Sequence, residues 1–397
     1  MKILHKNVYW LALAQACFLG ASMTVVSYSG LVGKIIAPSE ALATFPIGFA
    51  VVTTAMTTGL FSKLMARKSR KFGFFLGSSL GVSGALIASF GVYLANFWLF
   101  CFGLILTGLF LASVQYYRFA AIESVAPEDD ARAVSTILLG GLLGALVVPY
   151  ITGLFMDAFA PDIYIGAYLF AASSILLGII PLTRFKPLVV PHDSEEVDSD
   201  TEARSLKDII KQPVYIAAVM NAATGYAMMS FIMTASPLAM EQHGMGPDVS
   251  RYVIQMHVFA MFAPSLVTGS LINRFGVTKV LLAGHAFFIM AFIAALSGLQ
   301  LGHFSVSLIA LGVGWNFCFV GGTTMLQRGY RKSEKAKAQG LNETMVFSAQ
   351  ATAVMASGYL LHLFGWARLN QVAIALLMVT IFATMRYALS KDRLTDH

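Results

Sequence analysis

Arg118 and Glu123 stand five residues apart, where a stretch free of charged side chains, Phe72 to Tyr117, gives way to polar chain. On a helix that spacing is a rise of about 7.5 Å, close enough for a buried ion pair that breaks when the protein changes shape. A guanidinium there would also attract an anionic solute. His257 and His285 lie deep inside other apolar runs, and an imidazole titrates near neutral pH and can pass a proton. Plainer readings stay open: Arg118 reaching the headgroups from a span end, Glu123 solvated, each histidine a packing residue. Asp157, Glu241 and Glu343 fall near the ends of apolar runs and are expected at the membrane interface.

A second set has no charge but can grip a flat solute: Gln15, Tyr28, Gln115, Tyr116, Tyr117, Asn221, Tyr226, Phe231, Trp315, Asn316 and Thr323. Aromatic rings with a polar edge stack on planar ligands while amides orient them. An amide inside a bilayer must also find a polar partner or water. Nothing comparable points to an enzyme. There is no P-loop, hence no ATP coupling within the chain, and His243, His257 and His285 are too scattered for a metal site. No cofactor and no metal are expected.

The elements that must position these residues follow from composition. The chain has 397 residues, 57% hydrophobic and only 12% charged, about half the charge of a soluble domain. That makes it an integral membrane protein with several helical spans in a lipid bilayer. Cys17, Cys101 and Cys318 sit in apolar runs and read as packing residues, not as a disulfide scaffold. A formal charge of +7 would suggest nucleic acid in a soluble protein; here no nucleic-acid partner is expected, because the charge marks topology. Of 27 Lys and Arg, 23 fall on loops of one side when the N-terminus is taken as cytoplasmic. Lys34, Arg251 and Arg368 fall opposite, and Arg118 lies within or at the end of a span. The positive-inside rule then puts both termini in the cytoplasm and requires an even number of spans. The first apolar run, Asn7 to Gly33, is too long for the core of a signal peptide.

Measured against about 20 residues per crossing, the uncharged runs give twelve cores: 8–32, 41–62, 72–93, 97–117, 133–156, 163–182, 213–239, 252–272, 280–300, 304–327, 344–363 and 366–386. The third and fourth are divided at Leu94, Ala95 and Asn96, the last two at Phe364 and Gly365. The expected organisation is a six-helix bundle over 1–182, a cytoplasmic linker over 183–212 and a second six-helix bundle over 213–397. The linker carries Asp193, Glu195, Glu196, Asp198, Asp200 and Glu202, a solvated charge block, and ends in a short surface helix around Ser205 to Ile210. The halves repeat. Gly59-Leu-Phe-Ser-Lys63-Leu-Met-Ala-Arg67-Lys68 returns as Gly269-Ser-Leu-Ile-Asn273-Arg274-Phe-Gly276, 210 residues on. Pro127-Glu-Asp-Asp-Ala-Arg132 returns as Lys332-Ser-Glu-Lys-Ala-Lys337 at a similar offset. Two matches at one offset point to an internal duplication.

Twelve spans, a long central loop and these loop motifs resemble the major facilitator superfamily across essentially the whole chain. The resemblance implies an all-α fold of two six-helix bundles related by a pseudo-two-fold axis, and a monomer. It also implies transport of a small-molecule substrate by alternating access, driven by a proton or ion gradient across the bacterial inner membrane. It makes Gly59, Arg67, Gly269, Asn273, Arg274 and Gly276 gating-loop residues, although Lys63 and Asn273 occupy the acidic position of the motif. It makes Glu123, His257 and His285 candidates for proton coupling, and it lines the cavity with spans 1, 4, 7 and 10. Motifs of the drug antiporter branch are missing at Leu104 to Gly108 and degraded at Gly144 to Gly153, which tilts the reading from efflux towards uptake. The segments Gln115 to Ala121, Val253 to Ser265 and Gly314 to Thr324 look like a bacterial group some of whose members look like riboflavin uptake carriers. Proton-driven efflux, and a transport fold used as a sensor or assembly partner docking through the acidic linker, stay open as alternatives.

Overall fold

The structure, a computed structural model, describes residues 4–39, 42, 45–187 and 204–395. The acidic block from Asp193 to Glu202 lies outside these residues. Among the described residues there is no strand, and eleven helical stretches are long and apolar enough to cross a membrane. The last of them, Lys332–Ser390, is broken at Gly365, whose φ of 73° only glycine adopts without strain. The count of spans is therefore twelve, and the break falls where the sequence divides the last two.

The chain folds as two compact units, one of Met1–Pro127 with Thr136–Thr201, the other of Glu128–Ser135 with Glu202–His397. The first contains α1 (Lys6–Ile36), α2 (Phe45–Arg67), α3 (Arg70–Tyr93), α4 (Phe97–Val114), α5 (Tyr117–Ile122), most of α6 (Asp130–Ala158) and α7 (Ile163–Arg184). Polar residues punctuate an apolar sequence. Ser69 opens α3 by accepting the Phe72 N–H at 3.0 Å, and Asn96 opens α4 by accepting that of Leu99 at 2.9 Å. Ala95, at φ 49°, makes the turn between them. These caps satisfy helix-end donors that lipid cannot. Inside, α1 packs on α7, α3 on α4 and α7, and α2 on α4. Close approach depends on small residues: a side chain at Gly140 of α6 would collide with the Ala12 carbonyl of α1. Phe100 meets Tyr168 edge-on at 5.2 Å, and the Tyr168 hydroxyl shares a 2.8 Å hydrogen bond with Ser29. Large apolar side chains such as Met56, Leu60, Tyr93 and Trp98 are exposed, the arrangement lipid favours.

The second unit contains α8 (Leu206–Ile210), α9 (Pro213–Gln242), α10 (Pro247–Phe262), α11 (Ser265–Phe275), α12 (Val277–Ser297), α13 (Leu301–Leu326) and α14 (Lys335–Thr395). The surface helix expected near Ser205 is α8, capped by the Ser205 hydroxyl, with Ile209 buried and Lys207 and Asp208 exposed. Just before it, Arg204 grips Glu334 through Nε at 2.8 Å and a terminal nitrogen at 2.6 Å. The Glu334 side chain is fully shielded, and its hydrogen bond raises the Arg204 guanidinium above its ordinary pKa. The eighth span, a single core by hydropathy, is two helices: α10 and α11 meet at Ala263 and Pro264, because proline has no N–H with which to continue the ladder. Glu128–Ser135 joins this unit although it precedes the linker by sequence.

Candidate functional site

In the first unit the charged candidates gather where α4 gives way to α5. Gln115 and Tyr116 interrupt the helix, and the short α5 places Arg118 inward, 4% exposed. Its terminal nitrogen donates to the Gln115 carbonyl at 3.2 Å, and its guanidinium lies 4.7 Å from the Phe119 ring centre. Arg118 thus does not snorkel. Glu123 has a partner that the sequence reading, which paired it with Arg118, did not name. Both its oxygens accept from Arg70 at the start of α3, at 2.7 and 3.3 Å. The same Arg70 lies over the Tyr116 ring at 5.2 Å, and the Tyr116 hydroxyl donates to the Thr58 carbonyl at 2.7 Å. Tyr117 is buried edge-on against Phe74 at 4.7 Å. Tyr116 and Tyr117 are therefore bound into the packing of α2, α3 and α4 and offer no free edge to a solute. Gln115, half-buried, gives one amide hydrogen to the Leu111 carbonyl at 3.3 Å. Gln15 is buried in α1, and Tyr28 packs on Tyr164 at 6.1 Å.

In the second unit the polar candidates are deep and uncharged. Asn221 of α9 donates to the Ala217 carbonyl and the Thr384 hydroxyl, both at 2.8 Å, and stands 2.8 Å from Nε2 of His285 on α12. Its amide nitrogen being the donor, its oxygen is left to accept, which fixes the His285 proton on Nε2. One turn along, Thr224 and Thr380 share a 2.6 Å hydrogen bond. Asn316 of α13 donates to the Met261 carbonyl and to Ser265, and accepts from Thr268, each at 2.7 Å. It clasps the break between α10 and α11. Both amides thus have the polar partners that the sequence required of them. His257, fully buried, pairs Nδ1 with the Leu308 carbonyl at 2.7 Å, and its Nε2 has no partner among the described residues.

Around these lies a cluster of rings. Trp315 and Phe319 stack at 5.0 Å and 14°, Tyr226 stands edge-on to them at 5.4 and 5.0 Å, and Phe262 and Phe347 close the sides at 5.8 Å from Trp315 and 5.4 Å from Tyr226. Trp315 is 1% exposed, yet its indole N–H has no hydrogen-bond partner among the described residues, and neither does the Thr323 hydroxyl. Buried donors are normally satisfied, so these two stand out beside the rings. Sequence reasoning named Tyr226, Trp315 and Thr323 but missed Phe262, Phe319 and Phe347, because it looked along spans 1, 4, 7 and 10 for polar edges. It also named Phe231, which is buried but shares in no ring contact of the cluster.

The gating-loop residues divide between the units. In the first, Gly59 is half-buried and Lys63 and Arg67 are exposed. In the second, Asn273 donates to the Glu128 carbonyl at 2.9 Å, and a Cβ on Gly269 would lie 2.8 Å from the Arg132 backbone, so only glycine fits. Arg274 is exposed over Phe275 at 5.2 Å, and Gly276, at φ 84°, turns the chain into α12. Among the described residues no group of three or more His, Cys, Asp or Glu could hold a metal ion.

Two six-span units, each internally packed and apolar outside, make a multi-pass membrane protein. A model of the Major Facilitator Superfamily matches residues 11–263 and 220–395, and the chain belongs to that superfamily. It is 35% identical over 387 residues, 96% of each chain, to the riboflavin transporter RfnT of Brucella anthropi. It is 29% identical to the uncharacterized transporter YddS of Bacillus subtilis, over 86% of this chain and 80% of that one. Among solved structures, a bacterial homologue of the iron transporter ferroportin in its outward-facing state superposes at TM-score 0.74 with 15% identity, covering 96% and 99% of the chains. The proton:xylose symporter XylE gives 0.74 at 12% identity, covering 96% and 94%. At such identities these two carry the fold alone. The protein is a carrier, not an enzyme.

Proposed function

We propose that this protein takes up a planar, riboflavin-type solute across the bacterial inner membrane by alternating access, driven by the proton gradient. The ring cluster of the second unit carries the proposal: stacked and edge-on aromatics beside a buried, unpartnered Trp315 N–H suit an isoalloxazine, whose flat face stacks and whose carbonyls accept. The relative named for riboflavin transport, matched end to end, supports the same class. The protein works as a monomer of two bundles, 1–182 and 213–397, joined by the 183–212 linker, with both termini cytoplasmic. The Asn273 and Gly269 contacts with the Glu128 to Arg132 turn form a latch that opens in each cycle, and Arg274 keeps the loop at the cytoplasmic surface.

The test is riboflavin counterflow in proteoliposomes. Purified protein loaded with unlabelled riboflavin should draw in labelled riboflavin, and Trp315→Ala should reduce the rate at least tenfold. Wild-type protein that exchanges no riboflavin would overturn the substrate class.

A further inference from the structure

Trp315, Phe319 and Thr323 follow one another at four-residue steps along α13 and so lie on one ridge of that helix. The first two carry the stacked rings. Thr323 carries a hydroxyl that is 1% exposed and has no partner among the described residues. A threonine inside a helix can satisfy its hydroxyl on the carbonyl four residues back. Thr324, its neighbour, does so on Val320 at 2.9 Å, and Thr107, Thr268 and Thr384 do the same on their own helices at 3.0, 2.8 and 2.9 Å. For Thr323 the matching acceptor is the Phe319 carbonyl, and the hydroxyl does not take it.

The backbone that presents this hydroxyl is held firmly. A Cβ on Gly322 would lie 2.9 Å from the Ala218 carbonyl of α9, and one on Gly321 would lie 2.7 Å from the Leu281 side chain of α12, so α13 is pressed against both neighbours at this level. The turn beyond is taken up, because the Gln327 amide donates to the Thr323 carbonyl at 3.4 Å and its oxygen accepts from the Tyr330 hydroxyl. Thr323 is therefore the polar group that the ring stack leads to. Ser307 of α13 is also buried without a partner, but it lies on the side of Trp315 away from Phe319, with Leu311 between them. Trp315 and Thr323 differ in what they can hold. An indole N–H only donates, which suits a ring carbonyl, whereas a hydroxyl both donates and accepts, which suits an alcohol. Eight residues separate the two, a rise of about 12 Å, comparable to the reach of a flavin ring with its polyol chain extended.

We infer that Thr323 is a specificity-determining residue that reads the hydroxylated chain of the solute: the flat ring lies on the Trp315 and Phe319 stack, and the polyol runs along α13 to exchange hydrogen bonds with the Thr323 hydroxyl. A site built to bond an alcohol rejects an analogue that lacks it, since the buried hydroxyl is then left unpaired. The inference rests on the riboflavin-type reading and deepens it, from a planar solute to a planar solute that must carry a polyol.

The experiment measures how well unlabelled riboflavin and lumiflavin, the same ring with a methyl group in place of the polyol, compete for labelled riboflavin counterflow in proteoliposomes. In wild type, riboflavin should compete at least about fivefold better than lumiflavin. Thr323→Val, which keeps the branched shape and removes the hydroxyl, should weaken riboflavin about fivefold and leave lumiflavin within about twofold, so that the preference disappears. Thr323→Ser should retain it, and Ser307→Ala should leave it unchanged. If lumiflavin competes as well as riboflavin in wild type, if Thr323→Val weakens both alike, or if it weakens neither, the inference is overturned. Thr323→Val should also melt no lower than wild type in detergent, because no bond within the fold is lost; a clear drop would assign the hydroxyl to packing and overturn the inference as well. Should Thr323→Val not fold, Thr323→Ala carries the same comparison. If wild type shows no riboflavin counterflow at all, it is the riboflavin-type reading that has failed.

Discussion

The two units solve the problem of polar groups in lipid in opposite ways. In the first, the ionised side chains stand at the ends of spans: Arg70 and Glu123 form a pair whose side chains are 11% and 26% exposed, next to the α4–α5 break. In the second, a set of buried polar groups is neutral: Asn221 joins His285 and Thr384, and Asn316 joins Ser265, Thr268 and the Met261 carbonyl. Charge is tolerated where water and headgroups are near; amides and hydroxyls can be moved to the middle if each donor finds an acceptor.

The comparison can be broken most sharply at Asn316. Asn316→Ala removes the side-chain partner of the Met261 carbonyl and of the Ser265 hydroxyl, leaving Thr268 its bond to the Pro264 carbonyl, and should cost about 2 kcal/mol, read as a clear drop in melting temperature in detergent. A variant as stable as wild type would show that the deep amides are incidental. Next in size is the platform itself: Trp315→Phe, which keeps the stack and removes the N–H, should slow riboflavin counterflow several-fold at unchanged stability, as loss of one hydrogen bond of about 1 kcal/mol implies. A double-mutant cycle of Asn221→Ala with His285→Ala should return a coupling near 0.6 kcal/mol, the usual scale for hydrogen bonds between membrane helices; additive single effects would mean that the pair does not act as a unit. The smallest effect is expected at the charged pair. Arg70→Ala should cost about 0.5 kcal/mol or less, since partly exposed pairs contribute little, and should be the only one of these effects that added salt reduces in wild type.

The fold was legible because membrane helices announce themselves by length and apolarity. Asn96 and Gly365, which end uncharged runs with a cap and with a left-handed residue, even place the two span boundaries that hydropathy leaves open. The sites were legible only as residue types. Asn221 and Asn316 stood out as amides that need partners, but the partners lie 163 and 55 residues away, and no local spacing encodes them. Glu343 beside Lys335 and Lys337 reads as loop in a hydropathy window, whereas the fold of the second unit buries it. Arg70 read as one of a run of loop cations, and only the packing of α3 against α4 makes it the partner of Glu123.

The break between α10 and α11 has an evolutionary side. Pro264 removes the N–H that would serve the Ala260 carbonyl and breaks the ladder there, and the neighbouring Met261 carbonyl is taken up by an amide of α13, some 50 residues further on. The bend is therefore written at two places in the gene, and neither residue can drift alone without loss. Restoring a straight eighth span would require both to change together, so a lineage that replaces Pro264 should be free to lose Asn316 as well.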